Sequence, residues 1–135
     1  MSKVVVFDTN ILISAIGWKG TPYFCVELAR QGIIESVTCQ EILDELVEKL
    51  QVKLKFPDRY IIETIADLIS FSRIIKINKT LKVIENDPDD DVILECGIIG
   101  KANYIITGDK KHLLPLKNYQ GITIINATEF KNLIS

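Results

Sequence analysis

The sequence has 135 residues, of which 47% are apolar, so it is long enough to bury one core without disulfide or metal crosslinks. Its 16 basic residues against 18 acidic ones give a net charge of -2, which argues against nucleic-acid binding driven mainly by a strong positive field. No apolar run approaches the roughly 20 residues that cross a bilayer, so we expect a single cytoplasmic domain over residues 1–135 with no membrane contact.

The first half of the chain alternates short apolar runs with helical patterns. Val4 to Phe7 is a β-branched and aromatic run of the kind buried on both faces of a parallel sheet, and Asp8 stands at its end. Thr38 and Glu41 form a capping box that predicts the start of a helix. The patterns also predict strands over 4–7, 33–37 and 74–77, helices over 10–16, 23–31 and 57–70, and a loop over 17–22.

The helix after Thr38 carries acids at defined angles from its apolar stripe. At about 100° per residue, Glu41 and Glu48 fall opposite the stripe and should face water. Asp44 and Glu45 fall on its two borders, where a carboxylate can reach a cleft beside the core. The stripe itself consists of Ile42, Leu43, Leu46, Val47 and Leu50.

The second half of the chain predicts one helix between well-marked strands. Asp87 is a good N-cap and Pro88 fits the first helical position. A strand over 104–107 ends at Gly108 and Asp109, and a strand over 122–125 leads into a last helix over 128–133. Strands that alternate with helices predict an α/β domain, whose central sheet is mostly parallel, has about four to five strands and is flanked by helices.

Carboxylates follow two of the predicted strands, where open parallel sheets bind ligands. Asp8 and Asp109 occupy these strand ends, and Asp87, Asp89, Asp90 and Asp91 crowd one helix start. Taken singly, each of these acids has a purely structural explanation. Asp8 and the acidic run could serve as helix caps, and Lys110 and Lys111 could neutralise Asp109 at the surface. Together with Glu45 they would repel one another unless a cation lay between them, and all-oxygen ligands favour Mg²⁺ or Mn²⁺.

Other chemistries have less support in the sequence. Cys25, Cys39 and Cys96 are too far apart for a zinc knuckle and are expected to be buried free thiols. His112 is the only histidine, which excludes mechanisms that need a histidine pair and makes catalysis by this ring a minor alternative. Enzymes that form an aspartyl phosphate at a strand end usually have a second acid two residues after the nucleophile. If Asp8 were that nucleophile, the second position would be Asn10, which is not an acid.

The ordered motifs resemble those of the PIN domain family. They are Asp8-Thr9-Asn10, Glu45, Asp87-Pro88-Asp89-Asp90-Asp91 and Thr107-Gly108-Asp109. Together with Lys110-Lys111-His112-Leu113-Leu114 and the closing Glu129-Phe130, they are similar to a subgroup of ribonuclease toxins from prokaryotic toxin-antitoxin pairs. The resemblance covers nearly the whole chain and implies a three-layer PIN-like α/β fold.

The resemblance also implies a metal-dependent ribonuclease that uses activated water. Asp8, Glu45, Asp90 and Asp109 would be the catalytic, metal-binding acids, and Asp91 could replace or assist Asp90. Asn10 and Thr107 would orient the ligands or the substrate, although a helix cap and a strand-end hydrogen bond are equally good explanations for them. The alternative function is a PIN-like module that binds RNA or protein without activity.

The partner expectations follow from the same resemblance. RNA would contact Lys53, Lys55 and Lys110, although a basic run is more often a solvated surface. A small antitoxin would cover the acids, and the 57–71 arm could form a homodimer. Trp18, Tyr23 and Phe24 could form a groove for a partner helix or a base-stacking platform, although core positions are commoner for aromatics.

Overall fold

The computed structural model of the protein describes residues 2–84 and 87–134, and the descriptions below concern these residues. Within them the chain forms six α-helices and six β-strands. The strands are β1 (Lys3–Phe7), β2 (Ile34–Cys39), β3 (Ser72–Ile75), β4 (Tyr104–Ile106), β5 (Asn118–Tyr119) and β6 (Ile122–Ile125). The helices are α1 (Thr9–Gly17), α2 (Thr21–Arg30), α3 (Gln40–Val52), α4 (Asp58–Ser70), α5 (Pro88–Ile99) and α6 (Ala127–Ile134), with a 3-10 turn at Leu114–Leu116.

The strands form one sheet in the order β3-β2-β1-β4-β6-β5. Each neighbouring pair is parallel except β5 with β6, which is antiparallel. The mostly parallel α/β sheet is therefore confirmed, and its five parallel strands are those that the apolar patterns predict. The additional strand β5 is two residues long, too short to produce a pattern in the sequence.

The centre of the sheet is fully enclosed, as the β-branched run in β1 predicts. Val5 and Val6 are both 0% exposed, and α5 packs over β1, β2 and β4. Close approach of α5 to the sheet requires a glycine at its C-terminal end. A Cβ atom at Gly100 would lie 2.5 Å from Cγ1 of Val37 in β2.

The capping box predicted at Thr38 is wrong. Thr38 belongs to β2, where it pairs with Ile74 of β3, and Cys39 is the N-cap of α3 without a capping side chain. The Thr38 hydroxyl is buried without a hydrogen-bond partner among the described residues. Pairing in the sheet thus extends β2 past the local capping signal, and β3 likewise starts two residues earlier than the pattern suggests.

The helical elements agree closely with the sequence pattern. The helix predicted over 57–70 is α4, and Asp87 caps α5 by accepting a hydrogen bond from the Asp90 N–H. Over the described ranges, no helix combines the length and the apolar character needed to cross a bilayer.

Candidate metal centre

A cleft of about 440 Å³ opens at the carboxyl ends of the two central strands. The register that pairs Phe7 with Ile106 brings the residues after β1 and β4 side by side. The N-terminal halves of α3 and α5 form walls of the cleft. Its acidic lining is Asp8, Glu41, Glu45, Asp87, Asp89, Asp90 and Asp109, and Asn10, Lys49, Lys111 and His112 also line it.

Asp8 is held in the floor of the cleft by the strand next to its own. Its Oδ2 accepts a hydrogen bond of 2.6 Å from the Thr107 hydroxyl. Burial raises the pKa of the Asp8 carboxyl, and nearby Glu45 raises it further, whereas the Thr107 bond lowers it. Thr107 also accepts a hydrogen bond from the Asp109 N–H at 3.0 Å, so one hydroxyl positions two acids.

Asp109 is fixed by the turn that follows it. Its Oδ1 accepts the N–H groups of Lys111 and His112, and its Oδ2 accepts that of Leu113. Burial acts to raise the pKa of Asp109, but these backbone hydrogen bonds outweigh it and leave the pKa lowered. The same bonds set the backbone position of His112, which follows the end of β4 at Ile106.

Asp87 and Asp90 meet this turn from the N-terminus of α5. Nδ1 of His112 lies 3.1 Å from Oδ2 of Asp87 and 3.0 Å from Oδ2 of Asp90. Burial raises the pKa of Asp90 to about 7, with further contributions from Asp87 and Asp109, while His112 opposes the shift. The first turn of α5 therefore holds a carboxyl that is readily protonated in the absence of a cation.

Glu45 and Glu41 face the cleft from α3. Glu45 forms an ion pair of 3.3 Å with Lys49, and Lys49 Nζ donates to Asn10 Oδ1 at 2.9 Å. The expectation that Glu41 faces only water is wrong, because it lines the cleft and pairs with Lys79 at 3.5 Å. Glu41 and Glu45 are four residues apart and share one helix surface, and α3 begins at the cleft rim.

Asp91 is not brought into the cleft, which corrects its prediction as a metal ligand. Its Oδ1 accepts the N–H groups of Val83 at 2.9 Å and Ile84 at 2.8 Å. One turn later, Glu95 accepts four backbone N–H groups, those of residues 78 to 81, and these bonds lower its pKa against the effect of burial. The acids of α5 thus divide between two faces of the helix. Asp91 and Glu95 hold the backbone of the segment before the helix, whereas Asp87 and Asp90 face the cleft.

Comparison with known proteins agrees with this architecture. The sequence profile of the PIN domain family matches residues 4–111. The chain belongs to the PIN domain family. No match was found among functionally curated proteins.

Two solved structures share the fold of this PIN domain. One is VapBC2 from Rickettsia felis bound to a DNA fragment from their promoter, with a TM-score of 0.62 and 17% identity over 91% of this chain and 98% of that chain. The other is the PIN domain of RRP44 from T. brucei, with a TM-score of 0.56 and 11% identity over 99% of this chain and 82% of that chain. At these identities the likeness concerns the fold.

Four of the predicted acids of this PIN domain, Asp8, Glu45, Asp90 and Asp109, lie together in the cleft. Sequence reasoning kept His112 only as a minor catalytic alternative and did not place it beside Asp87 and Asp90, because its approach to α5 depends on the turn held by Asp109. It placed Asp87 in the acidic run and at the helix cap but not among the named metal ligands, although the side chain both caps α5 and faces His112. The contact between Asp87 and His112 joins a helix start to a turn after a later strand, so no local sequence pattern predicts it.

The predicted RNA contacts lie outside the cleft. Lys53, Lys55 and Lys110 are exposed and do not line it, whereas Lys49 and Lys111 do. Among the three aromatics, Phe24 is partly buried against the core, whereas Trp18 is 61% exposed and Tyr23 lines a separate groove beside α4. The three cysteines are buried free thiols, as expected.

The donor set of the cleft fits a divalent cation. Carboxylates at Asp8, Glu45, Asp90 and Asp109 supply the oxygen ligands that Mg²⁺ and Mn²⁺ prefer. Lys49 and Lys111 are the only Lys or Arg side chains on the described lining, so the acids outnumber the permanent cations there. The raised pKa values of Asp8, Asp89 and Asp90 are the consequence of burial and of this unbalanced negative charge.

Proposed function

We propose that this PIN domain is a metal-dependent endoribonuclease that hydrolyses RNA phosphodiester bonds with an activated water molecule. The observation that carries the proposal is the convergence of Asp8, Glu45, Asp90 and Asp109 in one open cleft at the carboxyl ends of β1 and β4. Nucleases of this kind need carboxylates held in fixed positions rather than a nucleophilic side chain.

The four acids would hold Mg²⁺ or Mn²⁺, which supplies Lewis-acid polarisation of the phosphodiester and activation of water. Thr107 fixes Asp8, and the backbone of the 111–113 turn fixes Asp109, so both ligands are positioned before any ion binds. Lys49 lies at the rim between Glu45 and Asn10, where its ammonium group would contact a substrate phosphate. The exposed Lys53, Lys55 and Lys110 would extend this contact along the RNA outside the cleft.

The test is cleavage of a mixed RNA pool by wild type and by Asp8→Asn, with Mg²⁺, with Mn²⁺ and with EDTA. Asn keeps an acceptor for the Thr107 hydroxyl, so the variant is expected to fold and to lose cleavage. Glu45→Gln should behave in the same way. Its matched control is Glu48→Gln, an exposed acid on the same helix outside the cleft, which should cleave as wild type does.

Full cleavage by Asp8→Asn, or cleavage by wild type in EDTA, contradicts the proposal. A folded wild-type protein that binds RNA without cutting it supports the alternative of an inactive binding module. The RNA pool therefore has to include structured and single-stranded species, so that a narrow substrate preference is not mistaken for inactivity.

We further propose that the nuclease is the toxin of a toxin-antitoxin pair and acts in the cytoplasm. The shared fold with VapBC2 of Rickettsia felis, over 98% of that chain, supports this role. A small antitoxin would cover the acidic cleft, and α4 would supply a homodimer contact through the exposed side chains of Tyr60, Ile62 and Ile69. Induced expression should arrest growth of a bacterial host, and Asp8→Asn should abolish the arrest.

A further inference from the structure

The only histidine of the chain points into the acidic cleft. Nδ1 of His112 lies 3.0 Å from Oδ2 of Asp90 and 3.1 Å from Oδ2 of Asp87. Oδ2 of Asp109 lies 4.0 Å from the same nitrogen. The nitrogen therefore lies close to one oxygen each of Asp87 and Asp90 and 4.0 Å from one of Asp109, although the sequence predicts an all-oxygen site.

The separations between Nδ1 and the oxygens of Asp87 and Asp90 are hydrogen-bond distances, and they also allow the three atoms to share one ion. Two ligands at right angles, each about 2.1 Å from an octahedral cation, lie about 3.0 Å apart, and two opposite ligands lie about 4.2 Å apart. The distances from Nδ1 to Asp87 and Asp90 match the first value. In the described part of the chain, the ligand atoms of Asp87, Asp90 and His112 all lie within 4.8 Å of one another.

His112 is held in this position by the backbone. Its N–H donates to Oδ1 of Asp109, and the N–H of Leu113 donates to Oδ2 of the same carboxylate. Leu113 is fully buried, which anchors the turn on its inner side. The imidazole is therefore presented to Asp87 and Asp90 by the same turn that presents Asp109. Metal binding would release the proton shared between Nδ1 and these carboxylates and needs no movement of the backbone.

We propose that Nδ1 of His112 is a direct metal ligand and that it makes this site select Mn²⁺ or a similar transition-metal dication over Mg²⁺. Asp87 and Asp90 complete the set on the α5 side of the cleft. Imidazole nitrogen is a good ligand for divalent transition metals, whereas Mg²⁺ strongly prefers oxygen and keeps much of its water. The inference rests on the proposed function only in taking the cleft as the site of the ion.

Because His112 is the only histidine, the spectrum of bound Mn²⁺ identifies it without ambiguity. The experiment uses the full, untagged chain, stripped of metal and loaded with less than one equivalent of Mn²⁺. Pulsed electron paramagnetic resonance should then show coupling of the Mn²⁺ electron spin to an imidazole ¹⁴N nucleus. The pattern should change on ¹⁵N labelling of the histidine and should disappear in His112→Gln.

Calorimetric titration supplies the second readout, with Mg²⁺ as the internal control. His112→Gln should weaken Mn²⁺ binding by at least about tenfold and should change Mg²⁺ binding much less, which removes the preference. If the variant fails to fold, the spectrum of the wild-type protein alone decides the question.

The outcomes separate this inference from the proposed function. Bound Mn²⁺ without nitrogen coupling overturns the role of His112 and leaves a metal-dependent nuclease intact. Equal loss of Mn²⁺ and Mg²⁺ affinity in His112→Gln overturns the selectivity. Failure of the wild-type chain to bind either ion overturns both the inference and the metal dependence of the proposed function.

Discussion

Two adjacent acids at the start of α5 should give opposite phenotypes when each is replaced by asparagine. Asp90 faces the cleft and His112, whereas Asp91 accepts two backbone N–H groups from the segment before the helix. Asp91→Asn should therefore lower stability and leave the metal site in place. Asp90→Asn should impair metal binding and cleavage without loss of stability.

The magnitude for Asp91→Asn follows from its two hydrogen bonds. Asparagine retains an Oδ1 acceptor for the N–H groups of Val83 and Ile84, but the acceptor is neutral. Hydrogen bonds to charged groups contribute about 1.5–3 kcal/mol and neutral ones about 0.5–1.5 kcal/mol, so each bond weakens by about 1 kcal/mol. The free energy of unfolding should fall by about 2 kcal/mol, which lowers Tm by roughly 5–10 °C for a domain of this size.

Asp90→Asn should not lower the stability of the metal-free protein. The Asp90 pKa of about 7 shows that its ionised form is disfavoured by burial and by Asp87 and Asp109. Replacing the carboxyl with a neutral amide removes that unfavourable charge, so Tm above pH 7 should be unchanged or higher. Mn²⁺ affinity should fall by at least about tenfold, as for other groups that hold a metal site.

Urea unfolding of the metal-free variants measures the two stabilities, and calorimetry and RNA cleavage measure the two functional effects. The assignment is refuted if Asp91→Asn abolishes metal binding at unchanged stability. It is equally refuted if Asp90→Asn is destabilised by about 2 kcal/mol, since that is the effect assigned to Asp91. A stability loss in both variants would mean that both acids anchor the chain.

Three further outcomes are expected. Glu95→Gln should lower the free energy of unfolding by about 4 kcal/mol or more in urea, because the Gln amide group faces two of the four N–H donors that the carboxylate accepts. In EDTA, stability should fall as pH rises from about 4 to about 7 and then level off, because the Asp90 pKa is raised to about 7 and protonation favours the folded state below it; saturating Mg²⁺ should suppress this fall. Gly100→Ala should cost about 1–3 kcal/mol in thermal unfolding, since its Cβ would lie 2.5 Å from Val37 Cγ1.

Secondary structure could be predicted from the sequence where the local pattern and the tertiary structure agree. Val4 to Phe7 is apolar on both faces because β1 lies in the middle of the sheet, and Asp87 caps α5 as its position predicts. Pairing in the sheet overrides the local signal elsewhere. Thr38 has a capping-box spacing, yet its pairing with Ile74 keeps it in β2.

The errors at the site have a common origin in contacts between distant segments. The choice between Asp90 and Asp91 depends on which face of α5 meets residues 83 and 84, and helical periodicity alone does not fix that rotation. His112 reaches Asp87 over 25 residues of sequence through a turn built on Asp109. Each missed role thus belongs to a side chain whose partner comes from another element.

The cleft is organised before an ion arrives, which has an energetic consequence. Thr107 holds Asp8, backbone N–H groups hold Asp109, and the helix start holds Asp90, so the carboxylates cannot move apart to relieve their repulsion. Burial, with a further contribution from this repulsion, raises the pKa of Asp8 and Asp90. A bound cation would offset the negative charge and remove the repulsion, so the rigidity that destabilises the metal-free cleft is also what makes it bind a cation.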